Sequence, residues 1–385
     1  MEVATQSPPA STSILMSRET IYEASADYFL APIGDFMRDD TVTEIMVNGF
    51  DEIYVERRGK IERTNTSFES EDALISAIHN IAQWVGREID PERPILDARL
   101  PNGSRVNAII PPSARTGTYL TIRKFLRDVL SMDDWIRYAS ISPEAAEFLD
   151  VCVRLRKNIL VSGGTGTGKT SFLNALSVSI PEEERIVVIE ETSELRLAQK
   201  HCLYLEAQQG DRQGRGHVSV RQLFVNSLRM RPDRIIVGEV RSGEALDLIQ
   251  PMISGHAGSI STVHANTARD ALVRMETLSL MSDIEIPIYV ARAQVASAID
   301  LVVQISRFAE DGSRRVTKIS ETYGLDDQNR YQAQDLYVCK LTGKRQDGTL
   351  AAELVPTGAK PTFSSEPFDQ AMGDRVKLTA NLWKQ

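Results

Sequence analysis

The chain of 385 residues is long enough for two or three domains, each with its own core. Its hydrophobic content of 42% and charged content of 25% are typical of a soluble globular protein. The net charge of −9 disfavours a nucleic-acid partner, because phosphate binding usually needs a basic surface. The three cysteines show no metal or redox spacing, and no apolar run reaches the roughly 18 residues of a membrane helix. We therefore expect a cytoplasmic protein without a signal peptide, metal cluster or transmembrane segment.

The first third of the chain predicts a small α+β domain. Residues 1–17 are rich in Ser, Thr, Pro and Ala, and this composition predicts a disordered lead. A helix whose apolar residues recur at helical spacing follows Ser70 and ends near Gly86. Two short helices are expected between residues 21 and 38, and strands are expected at 44–49, 53–56, 60–68, 96–100, 105–110 and 119–124. Together these elements predict a domain over residues 18–127.

The rest of the chain predicts a doubly wound α/β domain. Residues 128–134 are polar and predict a linker, after which helices are expected over residues 135–153. Buried runs then alternate with helical patterns, which is typical of a parallel sheet. The runs are at 158–161, 185–189, 203–206, 234–238, 259–263 and 300–305, and the helices are at 219–230, 245–253, 268–281 and 288–298. The domain covers residues 135–385, with an extension from about residue 343 to 385 in which only short strands or hairpins are expected.

A phosphate-binding motif lies at the centre of this pattern, between a strand and a helix. It fits G-x-x-x-x-G-K-[ST] with the residues Gly163, Gly164, Thr165, Gly166, Thr167, Gly168, Lys169 and Thr170. Glycines allow a tight turn whose N–H groups converge on an anion at a helix amino terminus. The alternative, a glycine-rich surface turn, is disfavoured by the strand before the motif and the apolar residues after it. We therefore predict ATP binding, with Lys169 on the β- and γ-phosphates, Thr170 on Mg²⁺ and Ser171 alongside.

Acidic residues end two strands of the predicted sheet. Glu190, with Glu191 beside it, ends the strand after the motif helix, and Glu239 follows the strand at 234–238. Ligands of open parallel sheets bind beyond the carboxyl ends of the strands. We expect Glu190 to orient and deprotonate the attacking water, and Glu239 to hold Mg²⁺. The alternative for each residue is a solvated carboxylate at a strand end.

Two histidines, His256 and His264, precede and follow the predicted strand at 259–263. Their spacing of eight residues matches no compact metal pattern. A lone histidine is more often structural than functional. Of the functional roles, sensing of phosphate or contact with another subunit is therefore favoured over metal ligation.

Four runs in the second domain carry a family resemblance: Gly163–Thr170, Ile189–Leu195, Leu228–Arg241 and Gly255–Asn266. They closely resemble the motifs of type II and type IV secretion ATPases, and the resemblance covers nearly the whole chain. Further segments of the chain resemble the branch of this family that drives tight-adherence (Flp) pilus assembly. These segments are Thr43–Gly49, Leu100–Asn107, Thr121–Phe125 and Pro356–Phe363.

The resemblance implies a RecA-like ATPase domain and a ring-shaped homo-hexamer with ATP between the two domains. It implies that Glu190 is the catalytic glutamate and that Glu239 has the Walker B role. His256 and His264 then form a histidine box. Two amino-terminal arginines, Arg105 and Arg123, match residues that reach the nucleotide phosphates in the family.

The sequence departs from the family at two positions, which remove no catalytic group. Glu191 stands where an Asp is common, and Ser242 replaces a usual Gly. Whether Glu191 shares the role of Glu190 stays open. The four-cysteine zinc module of type II assembly ATPases is absent, which favours the tight-adherence or type IV secretion branches.

The predicted function is a cytoplasmic ATPase motor that acts on platform proteins of a pilus or secretion system at the inner membrane. A conjugative type IV secretion ATPase is the nearest alternative. A RecA-like nucleic-acid motor is disfavoured by the negative charge and by the absence of a basic, aromatic-rich groove. A nucleotide-binding scaffold without turnover is disfavoured because both Glu190 and Glu239 are present.

Overall fold

The computed structural model describes residues 25, 28–57, 59–125, 130–208, 210, 215–345 and 348–383. The disordered lead predicted for residues 1–17 lies outside the described residues. The chain divides into two compact units, Met1–Arg127 and Asp128–Gln385. In the described part of the chain, no helix combines the length and the apolar character needed to cross a membrane.

The described residues of the first unit form a six-stranded antiparallel sheet with a helix on one face. Its elements are α1 (Gly34–Arg38), β1 (Val42–Asn48), β2 (Ile53–Arg57), β3 (Lys60–Arg63), α2 (Glu71–Trp84), β4 (Ile95–Arg99), β5 (Arg105–Ile109) and β6 (Tyr119–Arg123). The strands lie in the order β3-β2-β1-β6-β5-β4. In the region of the two predicted short helices, a 3₁₀ turn at Ala31–Ile33 precedes α1. The strand predicted at 60–68 is too long, because Phe68 leaves the sheet and is buried in the core.

Helix α2 covers one face of this sheet, as its sequence pattern predicts. Ser70 caps the helix by accepting a hydrogen bond from the N–H of Ala73. Residues at helical spacing, including Leu74, Ile78 and Ile81, are fully buried against the apolar side chains of the sheet. The other face of the sheet therefore carries the alternate, more polar residues of each strand.

The second unit contains a nine-stranded mixed sheet in the part that the structure describes. Its helices are α3 (Met132–Arg137), α4 (Pro143–Arg154), α5 (Lys169–Ser177), α6 (Val220–Ser227), α7 (Glu244–Ile253), α8 (Ala268–Ser279), α9 (Ile288–Ala298) and α10 (Glu366–Asp369). Its strands are β7 (Ile159–Gly163), β8 (Ile186–Glu190), β9 (Cys202–Glu206), β10 (Arg234–Val237), β11 (Ile260–Val263), β12 (Leu301–Arg307), β13 (Arg314–Leu325), β14 (Tyr331–Lys344) and β15 (Leu350–Pro356). They lie in the order β15-β14-β13-β12-β7-β11-β10-β8-β9.

Both faces of the parallel part of this sheet are buried. Strands β7 to β12 run parallel to one another. Along β7, Ile159 and Val161 join a core cluster with Phe172 of α5, whereas Leu160 joins the opposite cluster with Leu272 of α8. Helices therefore cover both faces, and the predicted doubly wound architecture is confirmed.

The structure differs from the sequence prediction in two regions of this unit. Met132 to Asp134, assigned to the linker, form the first turn of α3, because Ser131 and Asp134 make a capping box. The antiparallel strands β13 and β14 were not predicted. In β13 the buried positions do not alternate with exposed ones, so the period of two that marks a strand is weak.

Candidate active site

The phosphate loop follows β7 at the carboxyl end of the parallel strands. Gly168 caps α5 with a φ of 94°, and Gly166 has a φ of 69°. Both values lie in the left-handed region that favours glycine. A Cβ on Gly163 would lie 2.6 Å from the carbonyl oxygen of Ile305 in β12, so this close approach requires glycine. Glycines thus stand where the loop turns and where it touches the neighbouring strand.

Lys169 is buried inside this loop. Its Nζ donates hydrogen bonds to the carbonyls of Gly163 and Gly164, each at 3.0 Å. Thr167 closes the loop by donating its hydroxyl to the carbonyl of Gly164 at 2.9 Å. The N-cap residue of α5 is Gly168, which has no side chain to cap the helix, and backbone N–H groups at a helix amino terminus favour an anion. The loop therefore fits a polyphosphate, with a cation at its centre.

His264 and Glu239 lie beside Lys169. His264 Nε2 is 3.3 Å from Lys169 Nζ and 2.8 Å from Glu239 Oε1. Burial, and then the charge of Lys169, lower the pKa of His264, which favours the neutral imidazole near pH 7. Lys169, Glu239 and His264, which follow β7, β10 and β11 in the chain, thus meet beyond the carboxyl ends of these parallel strands.

Glu190 ends β8 in a more buried place than Glu239. Its Oε1 accepts hydrogen bonds from the backbone N–H groups of Glu194 and Leu195, at 2.9 and 3.0 Å. A Cβ on Gly238 would lie 2.8 Å from its Cγ, so the glycine before Glu239 makes room for this side chain. Burial raises the pKa of Glu190 to about 7, although the two N–H groups oppose the shift. A carboxylate with that pKa is suited to accept a proton at neutral pH.

Arg241 connects the two other acidic residues of the site. Its guanidinium donates to Glu239 Oε2 at 2.7 Å and to Glu191 Oε2 at 2.5 Å. The side chain of Glu191 is 54% exposed and that of Glu239 is 20% exposed. Glu191 therefore differs from the buried Glu190 in burial and in partner. The sequence signal for Arg241 was its position two residues after Glu239, but the bridge itself depends on the fold.

Thr170 and Glu239 offer oxygen atoms suited to Mg²⁺. Glu239 Oε1 is buried and, despite its short distance to His264, has no hydrogen bond of good geometry among the described residues. Within the described ranges, no group of three or more His, Cys, Asp or Glu side chains is arranged to hold a metal alone. Mg²⁺ is usually bound by one or two protein oxygens together with substrate phosphates and water.

His256 lies away from the phosphate loop. His256 precedes β11, whereas His264 follows this strand and lies at the edge of the sheet where Lys169 is found. Beside His256, Gly258 accepts a hydrogen bond from Arg234 at the start of β10. The single chain therefore brings His264, but not His256, to the phosphate loop.

The first unit places Arg105 and Arg123 side by side. They are direct partners in the β5–β6 ladder, and Glu44 of β1 is the direct partner of Arg123 on its other side. All three alternate with buried residues, so they lie on the face that α2 does not cover. Burial raises the pKa of Glu44, and the charge of Arg123 opposes that shift.

Known proteins resemble this chain over most of its length. The family described as "Type II/IV secretion system protein" matches residues 28–357. The type IV secretion system protein PtlH homolog of Bordetella bronchiseptica is 37% identical over 321 residues, which are 76% of this chain and 94% of that protein. The conjugal transfer protein TrbB of Rhizobium radiobacter is 33% identical over 77% of this chain and 88% of that protein.

Solved structures share the fold at lower identity. The pilus retraction motor PilT with bound ADP is 18% identical, with a TM-score of 0.51 over 86% of this chain and 82% of that one. The ATPase DotB of Yersinia pseudotuberculosis is 14% identical, with a TM-score of 0.51 over 98% of this chain and 88% of that one. At these identities the likeness shows the fold alone, a RecA-like P-loop unit. The family match over residues 28–357 and the curated relatives show that the chain belongs to the type II/IV secretion system protein family and is an ATPase.

Proposed function

We propose that this ATPase is a homo-hexameric motor that powers pilus assembly or secretion through platform proteins of the inner membrane. The observation that carries the proposal is the meeting of Lys169, His264 and Glu239 beside the phosphate loop, with Glu190 nearby at the end of β8. A loop for phosphates, a site for a divalent cation and a buried base are the parts that ATP hydrolysis needs.

Each residue has a distinct role in this proposal. The N–H groups from Gly163 to Thr170, with Ser171 next in α5, bind the phosphates, and Lys169 neutralises the charge that develops on them. Thr170 and Glu239 hold Mg²⁺, which supplies further charge neutralisation when it is bound. Arg241 fixes the carboxylate of Glu239 through its 2.7 Å hydrogen bond.

Glu190 is the general base. It takes a proton from the attacking water, because its pKa of about 7 lets it hold that proton while leaving it largely ionised above neutral pH. His264, neutral and beside Lys169, donates the hydrogen bond of its ring N–H to the terminal phosphate. His256, distant from the loop of its own chain, is assigned to contacts with another subunit.

Arg105 and Arg123 are proposed to contact the nucleotide from the first unit. Adjacent guanidiniums on one sheet face form a cationic surface suited to phosphate oxygens. Closure of such a surface on ATP couples hydrolysis to movement between units. In that case the first unit moves with each catalytic cycle and transmits work to the platform.

The pathway that we propose first is tight-adherence pilus assembly, with conjugative type IV secretion as the second candidate. Two relatives have names that support the second candidate, because PtlH is named for type IV secretion and TrbB for conjugal transfer. The test is to delete the gene and restore it as wild type or as Lys169→Ala. Loss of surface pili that only the wild type restores supports the first pathway, and loss of plasmid transfer alone supports the second. Normal pili and normal transfer after deletion contradict both.

A further inference from the structure

The hairpin between β12 and β13 brings two arginines to the phosphate loop. Arg307 and Arg314 are direct partners in this antiparallel ladder, so their side chains share one face. Arg314 Nε donates a hydrogen bond to the carbonyl of Gly166 at 2.8 Å. Arg307 Nη1 lies 3.6 Å from the place that a Cβ on Gly166 would occupy. Two guanidiniums therefore flank the same turn of the loop.

The position of β7 in the sheet decides which part of a nucleotide these arginines can meet. Strand β7 has β11 on one side and β12 on the other. The residues assigned to the terminal phosphate, His264 and Glu239, are on the β11 side, and the ammonium of Lys169 is close to His264. The terminal phosphate therefore belongs on that side. The α-phosphate and the nucleoside extend away from it, which is toward the β12 side.

On the β12 side of the loop, the cationic side chain of Arg314 and the buried aromatic side chain of Trp135 both lie beside Gly168. A Cβ on Gly168 would lie 3.4 Å from Cη2 of Trp135 and 3.5 Å from Cδ of Arg314. Trp135 is only 3% exposed, and its indole N–H has no hydrogen-bond acceptor among the described residues. A purine nucleotide presents an aromatic face and charged phosphates, which suit the planar guanidiniums of Arg307 and Arg314.

We propose that Arg307 and Arg314 form the nucleoside side of the ATP site. Arg314 braces Gly166 through Nε and stacks its planar guanidinium on the purine base, whereas Arg307 pairs with the α-phosphate. The inference rests on the proposed binding of ATP at Lys169. A lysine in place of Arg314 keeps the positive charge and can donate a hydrogen bond to Gly166. It cannot replace the stacking, because its ammonium is not planar.

Binding of two probes to the full chain separates these contacts. The probes are ADP and inorganic tripolyphosphate, which has the phosphates but no nucleoside, and affinities are measured by calorimetry. For Arg314→Lys we expect the affinity for ADP to fall about tenfold while that for tripolyphosphate changes less than about threefold. For Arg307→Ala we expect both affinities to fall. The control is Arg330→Ala, which removes an exposed arginine that pairs with Asp326 in the turn after β13 and leaves both affinities unchanged.

Two results overturn the inference. Equal losses of ADP and tripolyphosphate binding in Arg314→Lys mean that Arg314 only braces the loop, and an unchanged affinity for ADP means that it makes no contact with the nucleoside. Either result leaves the proposed function standing if Lys169→Ala still abolishes hydrolysis. Failure of the wild-type chain to bind ADP contradicts the proposed function itself.

Discussion

The ammonium of Lys169 lies 3.3 Å from Nε2 of His264, so the cation of the phosphate loop and the imidazole after β11 share one electrostatic environment. The positive charge of Lys169 is one cause of the lowered pKa of His264, after burial. Any change that removes this charge should therefore alter both the phosphate loop and the pKa of His264.

The first prediction concerns this pair. Lys169→Ala should abolish ATP hydrolysis, because the β- and γ-phosphates lose several kcal/mol of charge stabilisation. The same change should raise the pKa of His264, because a neighbouring positive charge is removed. Turnover assays and NMR titration of the histidine ring protons, assigned with His264→Gln, measure the two effects. Parent-level turnover in the folded variant contradicts the assignment of the loop.

The second prediction is a pH profile. Glu190 must be ionised to act as a base, and burial raises its pKa to about 7. We therefore expect kcat/KM to rise roughly tenfold per pH unit below pH 7 and to level off above it. The inflection should persist in His264→Gln, because the pKa of His264 is shifted in the opposite direction, downward. A profile that is flat from about pH 5.5 to 8.5 excludes Glu190 as the titrating base.

The third prediction concerns the arginines of the first unit. Arg123→Lys should lower turnover about tenfold or more, because an ammonium does not reproduce a bidentate contact with phosphate. Arg105→Ala should act in the same direction. The control is Arg63→Ala, which removes an exposed arginine of β3 in the same unit. Unchanged rates in intact oligomers of both test variants exclude a role in closing the site.

The fourth prediction concerns stability and the family motif around β10. Arg234 is fully buried and pairs with Glu184 at 2.5 Å, while its other nitrogens donate to the carbonyls of Gly258 and Val153. Arg234→Met leaves these acceptors buried without their donor and should reduce the free energy of unfolding by about 3–5 kcal/mol. The exposed pair of Arg330 and Asp326 is the control, and Arg330→Ala should cost less than about 1 kcal/mol. Equal changes in thermal unfolding for the two variants rule out a structural role for Arg234.

The parts of the site that the sequence predicts are those where spacing determines position. Lys169 follows from the glycine pattern, and Glu190 and Glu239 follow from the rule that parallel strands end at one edge. The sequence assigns the base to Glu190 but leaves open whether Glu191 shares its role, since the two differ in burial and in the pairing of Glu191 with Arg241. That pairing joins residues 50 positions apart in the chain.

The antiparallel strands β13 and β14, in contrast, could not be predicted from the sequence. Strand β13 is buried at many successive positions, so it lacks the alternation by which a half-buried strand is recognised. Without this strand, Arg314 cannot be placed near Gly166. His256 shows a further limit of sequence prediction. The family motif groups His256 with His264, but strand β11 lies between them and separates them in the fold.

The central claim is that Glu190 acts as the base for ATP hydrolysis at the Lys169 loop. Its most direct test is a comparison of ATP binding and single-turnover hydrolysis in the wild-type chain and in Glu190→Gln. The amide keeps an oxygen that can accept from the N–H groups of Glu194 and Leu195, but it cannot accept the proton of water. We predict that ATP affinity stays within about threefold and that hydrolysis falls by about 10² or more. Hydrolysis at the parent rate, or loss of ATP binding with turnover intact, contradicts the account.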